Sequence, residues 1–267
     1  MSIVTISRGS YSKGKEIAEQ LSSALDYECI SRDIILETSD HFKIPELKMV
    51  RAIHDAPSIL DRLKYRKEKF VAYFAETFLE NMRRDNIVYH GLAGHFFLQG
   101  VPNVLKVRII ANLEDRIVEE MKRESISEKE ARRILLKDDE ERRKWSLHVY
   151  GIDTNDPSLY DIVFHIDNLS VQDAVETLVS LARRPCFQTT ESATRSLADA
   201  YLAARVKVAL ADTYANADVL AKEGVVAVTI DAAMSMTKKV QDEVDKLARG
   251  VPGVKELHVS VEPIDVD

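Results

Sequence analysis

The chain has 267 residues, an apolar fraction of 45% and a formal net charge of −7, so it is long enough for two domains and apolar enough for a core. The acidic balance argues against binding nucleic acid or an anionic membrane through bulk charge. The two cysteines lack metal-ligand spacing, which argues against a zinc site. No apolar run approaches the roughly 18 residues of a membrane helix. With no signal-peptide pattern, we expect a cytoplasmic protein.

The N-terminal stretch predicts a phosphate-binding loop between a strand and a helix. Residues 3–8 have strand character, and an apolar stripe over 17–25 predicts the helix. Between them, a glycine, four residues and a Gly-Lys pair fit the spacing G-x-x-x-x-G-K, in which backbone N–H groups surround phosphate oxygens and the lysine neutralises their charge. An ordinary tight connection is the alternative interpretation. The predicted loop consists of Gly9, Ser10, Tyr11, Ser12, Lys13, Gly14, Lys15 and Glu16.

Glu16 departs from this pattern at the position where a Ser or Thr hydroxyl normally coordinates Mg²⁺. A carboxylate in the first helical turn suits the helix dipole, but it repels a triphosphate unless a cation intervenes. The sequence therefore predicts a phosphate site more firmly than a metal site, and we assign no protein ligand to a metal.

A short second strand at 27–30 leads to Ser31 and Arg32, at the strand end where ligands of open α/β sheets collect. Ser31 suits a helix N-cap, whereas Arg32 is free to reach an anion, and both interpretations stay open. A mixed-charge segment at 44–62 follows, which could close over a substrate. The next helix carries an aromatic stripe that we assign to the core rather than to base stacking: Phe70, Phe74 and Phe78.

Three further strands, at residues 87–89, 104–111 and 160–166, alternate with helices. Capping boxes predict that two of these helices begin at Ser127 and Ser170. Five strands alternating with helices predict a parallel α/β fold, a three-layer α/β/α sandwich with a five-stranded parallel sheet and a phosphate-binding P-loop after the first strand.

Two adjacent arginines, Arg142 and Arg143, lie in the most charged stretch of the chain. A solvated helix with i,i+4 ion pairs explains the acidic residues of this stretch. Adjacent guanidinium groups beside Trp145, in a chain that already has a phosphate loop, suit the clamping of a transferring phosphoryl group. We favour that interpretation over surface pairing for both arginines.

The succession of these motifs resembles the cytidylate kinase-like family of P-loop nucleoside monophosphate kinases over residues 1–184. The motifs concerned are the glycine-rich loop, Ser31 with Arg32, and residues 114–116, 138–143 and 156–161. The resemblance implies ATP-dependent phosphoryl transfer to a nucleoside monophosphate, with CMP as the first acceptor and with ATP and Mg²⁺ as cofactors.

The same resemblance implies a role for individual residues. The glycine-rich loop would hold ATP, with Lys15 on the transferred phosphate, and Ser31 and Arg32 would bind the acceptor. Arg116, Arg142 and Arg143 would belong to a lid, with Arg116 assigned to nucleotide binding. The catalytic residues would be Lys15, Arg142 and Arg143. A non-catalytic, nucleotide-binding regulatory protein is the alternative, supported by Glu16 and opposed by the arginine pair.

A polar stretch at 185–195 predicts a linker, and residues 196–267 predict a second domain of α+β type with the order αββαβ. Its helices are expected at 197–210 and 238–249, its hairpin turns at Gly224, and its last strand is expected at 256–261. This unit resembles the BON domain, including the turn at 250–254. Because a three-stranded sheet leaves edges exposed, we expect the domain to pack against the first domain or to form a homo-oligomer.

Overall fold

A computed structural model of the chain describes residues 2–9, 12–31, 33–42, 66–91 and 94–263. The predicted closing segment at 44–62 lies outside these ranges. The described residues form two compact units. The first unit contains the described residues up to 33 and those between 84 and 190. The second unit contains residues 34–42, 66–83 and 191–263. The predicted domain limits of 1–184 and 196–267 stay a prediction.

The first unit is built on the predicted five-stranded parallel sheet, whose strand order is β2-β3-β1-β4-β5. All five carboxyl ends therefore meet at one edge, where open α/β sheets bind their ligands. β1 is central, and the residues of β1 and β3 are almost all buried, as expected for parallel strands covered on both faces. The strands are β1 Ile3–Arg8, β2 Glu28–Ile30, β3 Ile87–His90, β4 Val104–Ala111 and β5 Ile162–Ile166.

Helices flank this sheet and bury their apolar stripes. α1 and α6 pack together over the strands, where Ile17, Leu21 and Leu178 are fully buried. Both predicted N-caps are present, since Ser127 accepts a hydrogen bond from the Glu130 N–H and Ser170 forms a full capping box with Asp173. The helices of this unit are α1 Gly14–Leu25, α4 Leu113–Glu124, α5 Glu128–Tyr150 and α6 Val171–Ala182.

The second unit combines two separate stretches of the chain. α2 (Asp33–Phe42) and α3 (Arg66–Met82) precede β3, and Asn81 joins them by donating to Glu37 at 2.7 Å. α3 packs along α7 (Glu191–Leu210), which belongs to the C-terminal part. None of the described helices has the length and apolar composition needed to cross a bilayer.

The C-terminal part has the predicted αββαβ arrangement. β6 (Asp218–Lys222) and β7 (Val225–Ala232) form an antiparallel hairpin, and β8 (Glu256–Pro263) adds in parallel to β7. One face of this sheet packs on α7 and α8 (Thr237–Ala248). α7 begins before the predicted residue 197, within the predicted linker, because its apolar stripe starts earlier than the polar composition suggested. Ala193 and Leu197, four residues apart, are both buried.

His95 predicts how the stability of the first unit depends on pH. It lies in the 3₁₀ helix Gly94–Leu98, where burial and the charges of Lys106 and Arg108 lower its pKa to about 4. The folded state therefore keeps His95 neutral, whereas the unfolded chain protonates it below its ordinary pKa of 6.5. The contribution of neutral His95 to the free energy of unfolding is fully present above pH 6.5 and is lost as the pH falls toward 4.

We expect this loss to reach about 2 kcal/mol at pH 5, because one pKa unit corresponds to about 1.4 kcal/mol. Urea unfolding followed by the fluorescence of Trp145, the single tryptophan, at pH 7.5 and pH 5 measures it. The control is His95→Phe, whose stability should fall less between the two pH values. Equal losses in the two proteins would rule out His95 as the cause.

Candidate functional site

The predicted loop connects β1 to α1 through a tight turn. Lys13 adopts the left-handed conformation, with φ 66°, and α1 begins at Gly14. A Cβ at Gly14 would lie 2.7 Å from the Cβ of Arg8, so only glycine allows this close approach. The buried Ser12 hydroxyl lies 3.0 Å from the Gly9 carbonyl and 3.1 Å from the Ile109 carbonyl, to which it donates. The loop is thereby tied to the end of β4.

A cleft of about 300 Å³ opens beside this loop, at the carboxyl edge of the sheet. Strand ends, α4, α5 and the segment before β5 all contribute to it. Among the described residues of the lining, four are arginines and the one carboxylate is Asp139, so this lining has a strong positive excess and favours an anion. The residues that line it are Ser7, Arg8, Gly9, Ser12, Arg108, Ile110, Ala111, Arg116, Asp139, Arg142, Thr154 and Asn155.

Arg116 lies closest to Gly9, the first glycine of the loop. Its side chain is almost fully buried, and its Nη2 donates to both carboxylate oxygens of Asp139 at 2.9 Å. A Cβ built on Gly9 would lie 3.7 Å from the guanidinium carbon, so glycine leaves room there for an anion beside the arginine. Asp139 thus holds Arg116 in place with its charge facing the loop.

Two more arginines are held by backbone carbonyls. Nη1 of Arg142 donates to the carbonyl of Arg8 at 3.1 Å, which joins α5 to the end of β1. Nη1 of Arg108 donates to the Thr154 carbonyl at 2.6 Å, and its Nη2 donates to Asn155 at 2.7 Å. Carbonyl and amide oxygens orient a guanidinium, and these contacts do not neutralise its charge.

Burial raises the pKa of Asp138, the neighbour of Asp139, while the charge of Arg142 opposes the rise. Desolvation is the larger effect. Asp138 therefore lies in a partly dehydrated environment, where its interaction with Arg142 is stronger than in bulk water.

The structure brings together some of the predicted site residues and leaves others apart. Gly9, Ser12, Arg116 and Arg142 line the cleft, and Gly14 closes the loop behind it. The predicted residues Ser10, Tyr11 and Arg32 lie outside the described residues. Ser31 is half-buried at the end of β2 and is not among the residues that line the cleft.

Three predicted site cations, Lys13, Lys15 and Arg143, pair with carboxylates that do not line the cleft. Lys13 pairs with Glu119 at 3.4 Å, and Lys15 pairs with Glu19 at 3.5 Å with 64% of its side chain exposed. Arg143 donates from Nε to Asp153 at 2.8 Å, and its side chain is 45% exposed. These three cations lie at the surface, each in an ion pair with a carboxylate.

Sequence reasoning overlooked Arg8, Arg108 and Asp139. A signal existed for Arg108, since a strand buried on both faces normally reads as a continuous apolar run and this strand carries an arginine in its middle. Asp139 gave no comparable signal, because it lies in a run of charged residues that all suit a solvated helix.

Glu16 does not supply a magnesium site in the cleft. Its carboxylate accepts a hydrogen bond from Gln20 at 3.4 Å, and it lines a separate surface depression beside Ser23 and Gln172. Among the described residues, no group of three His, Cys, Asp or Glu side chains could hold a metal ion. The described part of the cleft therefore fits a phosphate, whereas Mg²⁺ would depend on water and on the phosphates of a bound nucleotide for its ligands.

The parallel sheet, the glycine loop that opens α1 and the arginine-lined cleft define a P-loop protein of kinase-like α/β fold. The chain belongs to the cytidylate kinase-like family, whose model matches residues 3–168, more than half of the sequence. This membership identifies a nucleotide-binding, kinase-like protein. No curated protein matches the chain in sequence.

Solved structures support the fold. An uncharacterized protein from Eubacterium ventriosum ATCC 27560 is 18% identical, with a TM-score of 0.53 over 68% of this chain and 98% of its own. Two other solved structures are more distant. Shikimate kinase from Bacteroides thetaiotaomicron is 8% identical, with a TM-score of 0.42 over 67% of this chain and 97% of its own. Dephospho-CoA kinase from Campylobacter jejuni is 12% identical, with a TM-score of 0.35 over 67% and 95%.

Proposed function

We propose that this protein transfers a phosphoryl group from ATP to a nucleoside monophosphate, with CMP as the first acceptor to test. The observation that supports the proposal is the convergence of Arg8, Arg108, Arg116 and Arg142 on one cleft beside the glycine loop. Such an excess of guanidinium groups around a loop of backbone amides suits two phosphate-bearing ligands better than one.

In this reaction an oxygen of the acceptor phosphate attacks the γ-phosphorus of ATP in line, and the bond from that phosphorus to the β–γ bridging oxygen breaks. The acceptor oxygen is already ionised, so no general base is needed. The protein then contributes position and charge. Arg116 and Arg142 stabilise the negative charge on the equatorial oxygens of the transferred group, and the amides of the loop hold the phosphates of ATP.

Lys15 must leave Glu19 to take part. The pair is an exposed i,i+4 contact, and such pairs contribute only about 0.3–0.5 kcal/mol. A polyphosphate in the loop carries more charge than one carboxylate, so it competes readily for the ammonium group. We therefore keep Lys15 as the residue that binds the transferred phosphate.

A regulatory protein that binds a nucleotide without turnover is the second candidate. The observation in its favour is the environment of α1, where Lys15 pairs with Glu19 and Glu16 stands in place of the hydroxyl that usually coordinates Mg²⁺. Such a protein would signal through its C-terminal part.

A coupled assay of the purified chain with ATP, Mg²⁺ and a panel of CMP, dCMP, UMP, AMP and GMP separates the two candidates. We expect diphosphate to form, fastest with CMP. Isothermal titration with ATP on the same preparation provides the control for a competent nucleotide site. Binding of ATP without any diphosphate product would instead support the regulatory protein.

We also propose that residues 196–267 form a BON-like accessory domain through which a cytoplasmic homo-oligomer assembles. β6 and β8 are the two edge strands of their sheet, and the side chain of Leu220 is 75% exposed on β6. Exposed edges and apolar groups favour association with a second copy. Light scattering that gave a monomeric mass would remove this proposal.

A further inference from the structure

The second unit contains a cleft of about 620 Å³ that the proposed reaction does not use. It lies between α7, the end of α3, the β6–β7 turn and the loop that leads into β8. Positive charge and apolar surface alternate around it. The residues that line it are Arg83, Arg195, Ala198, Asp199, Tyr201, Leu202, Arg205, Glu223, Gly224, Pro252, Gly253 and Lys255.

Cationic side chains outnumber anionic ones in this lining. Among the described residues of the lining, three arginines and Lys255 stand against two carboxylates, in a chain whose net charge is −7. Arg195 already pairs with Glu191. The positive excess therefore rests on Arg83, Arg205 and Lys255. Asp199 is already engaged, because its Oδ1 accepts the backbone N–H of Glu223 at 2.7 Å. A local positive excess on an acidic protein draws a small anion to this place.

Backbone carbonyls orient two of the cations. Arg205 donates from Nη1 to the Pro252 carbonyl at 2.9 Å, and Lys255 donates from Nζ to the Glu223 carbonyl at 3.1 Å. A neutral carbonyl fixes the direction of a cation but leaves its charge in place. These contacts therefore orient both cations beside the cleft without neutralising them.

Tyr201 organises the other side of the cleft. The guanidinium carbon of Arg83 lies 4.7 Å from the centroid of its ring, and that of Arg205 lies 5.7 Å from it. Among the described residues, Arg83 has no carboxylate partner. Contact with an aromatic ring leaves the N–H edge of a guanidinium free to bind phosphate oxygens in pairs.

Two glycines allow close approaches between the segments that form the cleft. Gly224 has φ +90°, and a Cβ there would lie 2.8 Å from Cδ of Lys255. Gly253 has φ +105°, and a Cβ there would lie 3.3 Å from Cδ1 of Leu202. These are the glycines of the hairpin and of the turn before the last strand, the features on which the predicted resemblance of this region rests.

We propose that this cleft binds an organic phosphate anion of nucleotide size. Arginine recognises phosphate through paired hydrogen bonds, and three arginines surround the cleft. The volume falls within the range of about 300–1,000 Å³ that is usual for small-molecule sites, so inorganic phosphate alone would fill little of it. Leu202, Pro252 and Ala198 supply the apolar contacts that an organic group requires. The proposal is independent of the reaction in the first unit.

Calorimetric titration of the full chain with ATP, CMP and inorganic pyrophosphate tests it. The titrations use Arg116→Gln as the background, because this change weakens the cleft of the first unit. We expect a saturable binding event with a nucleotide that is weakened at least tenfold by Arg83→Gln and by Arg205→Gln. Arg205→Gln removes the hydrogen bond to the Pro252 carbonyl and can disturb the turn before β8. Arg83 contacts the ring of Tyr201, so Arg83→Gln is expected to preserve the fold and serves as the second variant.

Arg249→Gln is the matched control, since it removes an exposed arginine paired with Asp245 on α8 of the same unit. The control should bind as tightly as the background protein. Equal binding by the Arg83→Gln, Arg205→Gln and control proteins would overturn the proposal, as would the absence of saturable binding of all three probes. A lipid headgroup would replace the soluble phosphate as the ligand under one result. The protein would bind none of the soluble probes, would co-sediment with phosphatidylglycerol vesicles, and would lose that co-sedimentation in Arg83→Gln.

Discussion

Arg116→Gln is expected to lower kcat/KM for phosphoryl transfer at least a hundredfold while the protein stays folded. Removing a single donor to a developing oxyanion commonly costs about 10²–10³ in rate, and an arginine on a transferring phosphoryl group is often worth more. The hydrogen bonds from Nη2 of Arg116 to both carboxylate oxygens of Asp139 already fix the guanidinium beside Gly9 in the structure. Steady-state kinetics with ATP and the best acceptor of the panel measures the effect.

The matched control for this variant is Arg132→Gln. Arg132 also forms two hydrogen bonds to one carboxylate, that of Glu114, but it lies at the surface and away from the cleft. Its removal should leave kcat/KM within a factor of two or so of the wild type, since surface ion pairs contribute about 0–1 kcal/mol. Arg116→Lys should give an intermediate rate, because lysine keeps the charge but not the paired bonds. If Arg116→Gln turned over as fast as Arg132→Gln, the cleft would not be the site of transfer.

Lys15→Ala is expected to reduce turnover by orders of magnitude, whereas Lys13→Ala should change it little. The two lysines are two residues apart, and each forms one ion pair at the surface, with Glu19 and Glu119 respectively. Their contributions to stability should therefore be equally small. Their roles toward a nucleotide differ, because the spacing of the loop assigns the transferred phosphate to Lys15.

Thermal unfolding of both lysine variants checks that their stabilities match, and the coupled assay then compares their activities. Full phosphoryl transfer by Lys15→Ala would lead us to abandon the assignment of the loop. A large loss in both variants would show that charge around the loop matters more than the position of one lysine.

The sequence predicted the first unit well because its signals are local. A glycine spacing, a helical apolar stripe and two capping boxes each lie within a few residues of the structure that they specify. The arginines of the cleft come from β1, β4, α4 and α5, and the paired packing of these elements cannot be read from spacing. Lys15 illustrates the same limit, since the motif gives its position but not its present partner, Glu19.

For the second unit, the sequence predicted the individual helices and strands but not how the helices pack on one another. The helices around residues 70–82 and 197–210 were both expected, and the sequence held no sign that they pack on each other. The periodicity of an amphipathic helix predicts an apolar face, but it does not predict which partner covers that face. The identity of that partner is a long-range property, which one sequence cannot reveal.

The packing of α3 on α7 has a consequence for synthesis of the chain. Met82 ends the first helix and Glu191 begins the second, so more than a hundred residues must be made between them. At about 5–20 residues per second, a ribosome needs roughly 5 to 20 s to cover that distance. During this interval α3 has emerged without the helix that covers it, while strands of the first unit are being completed. The nascent chain therefore exposes the apolar face of α3 until its C-terminal segment has been synthesised. We expect chaperones to bind that face during this time.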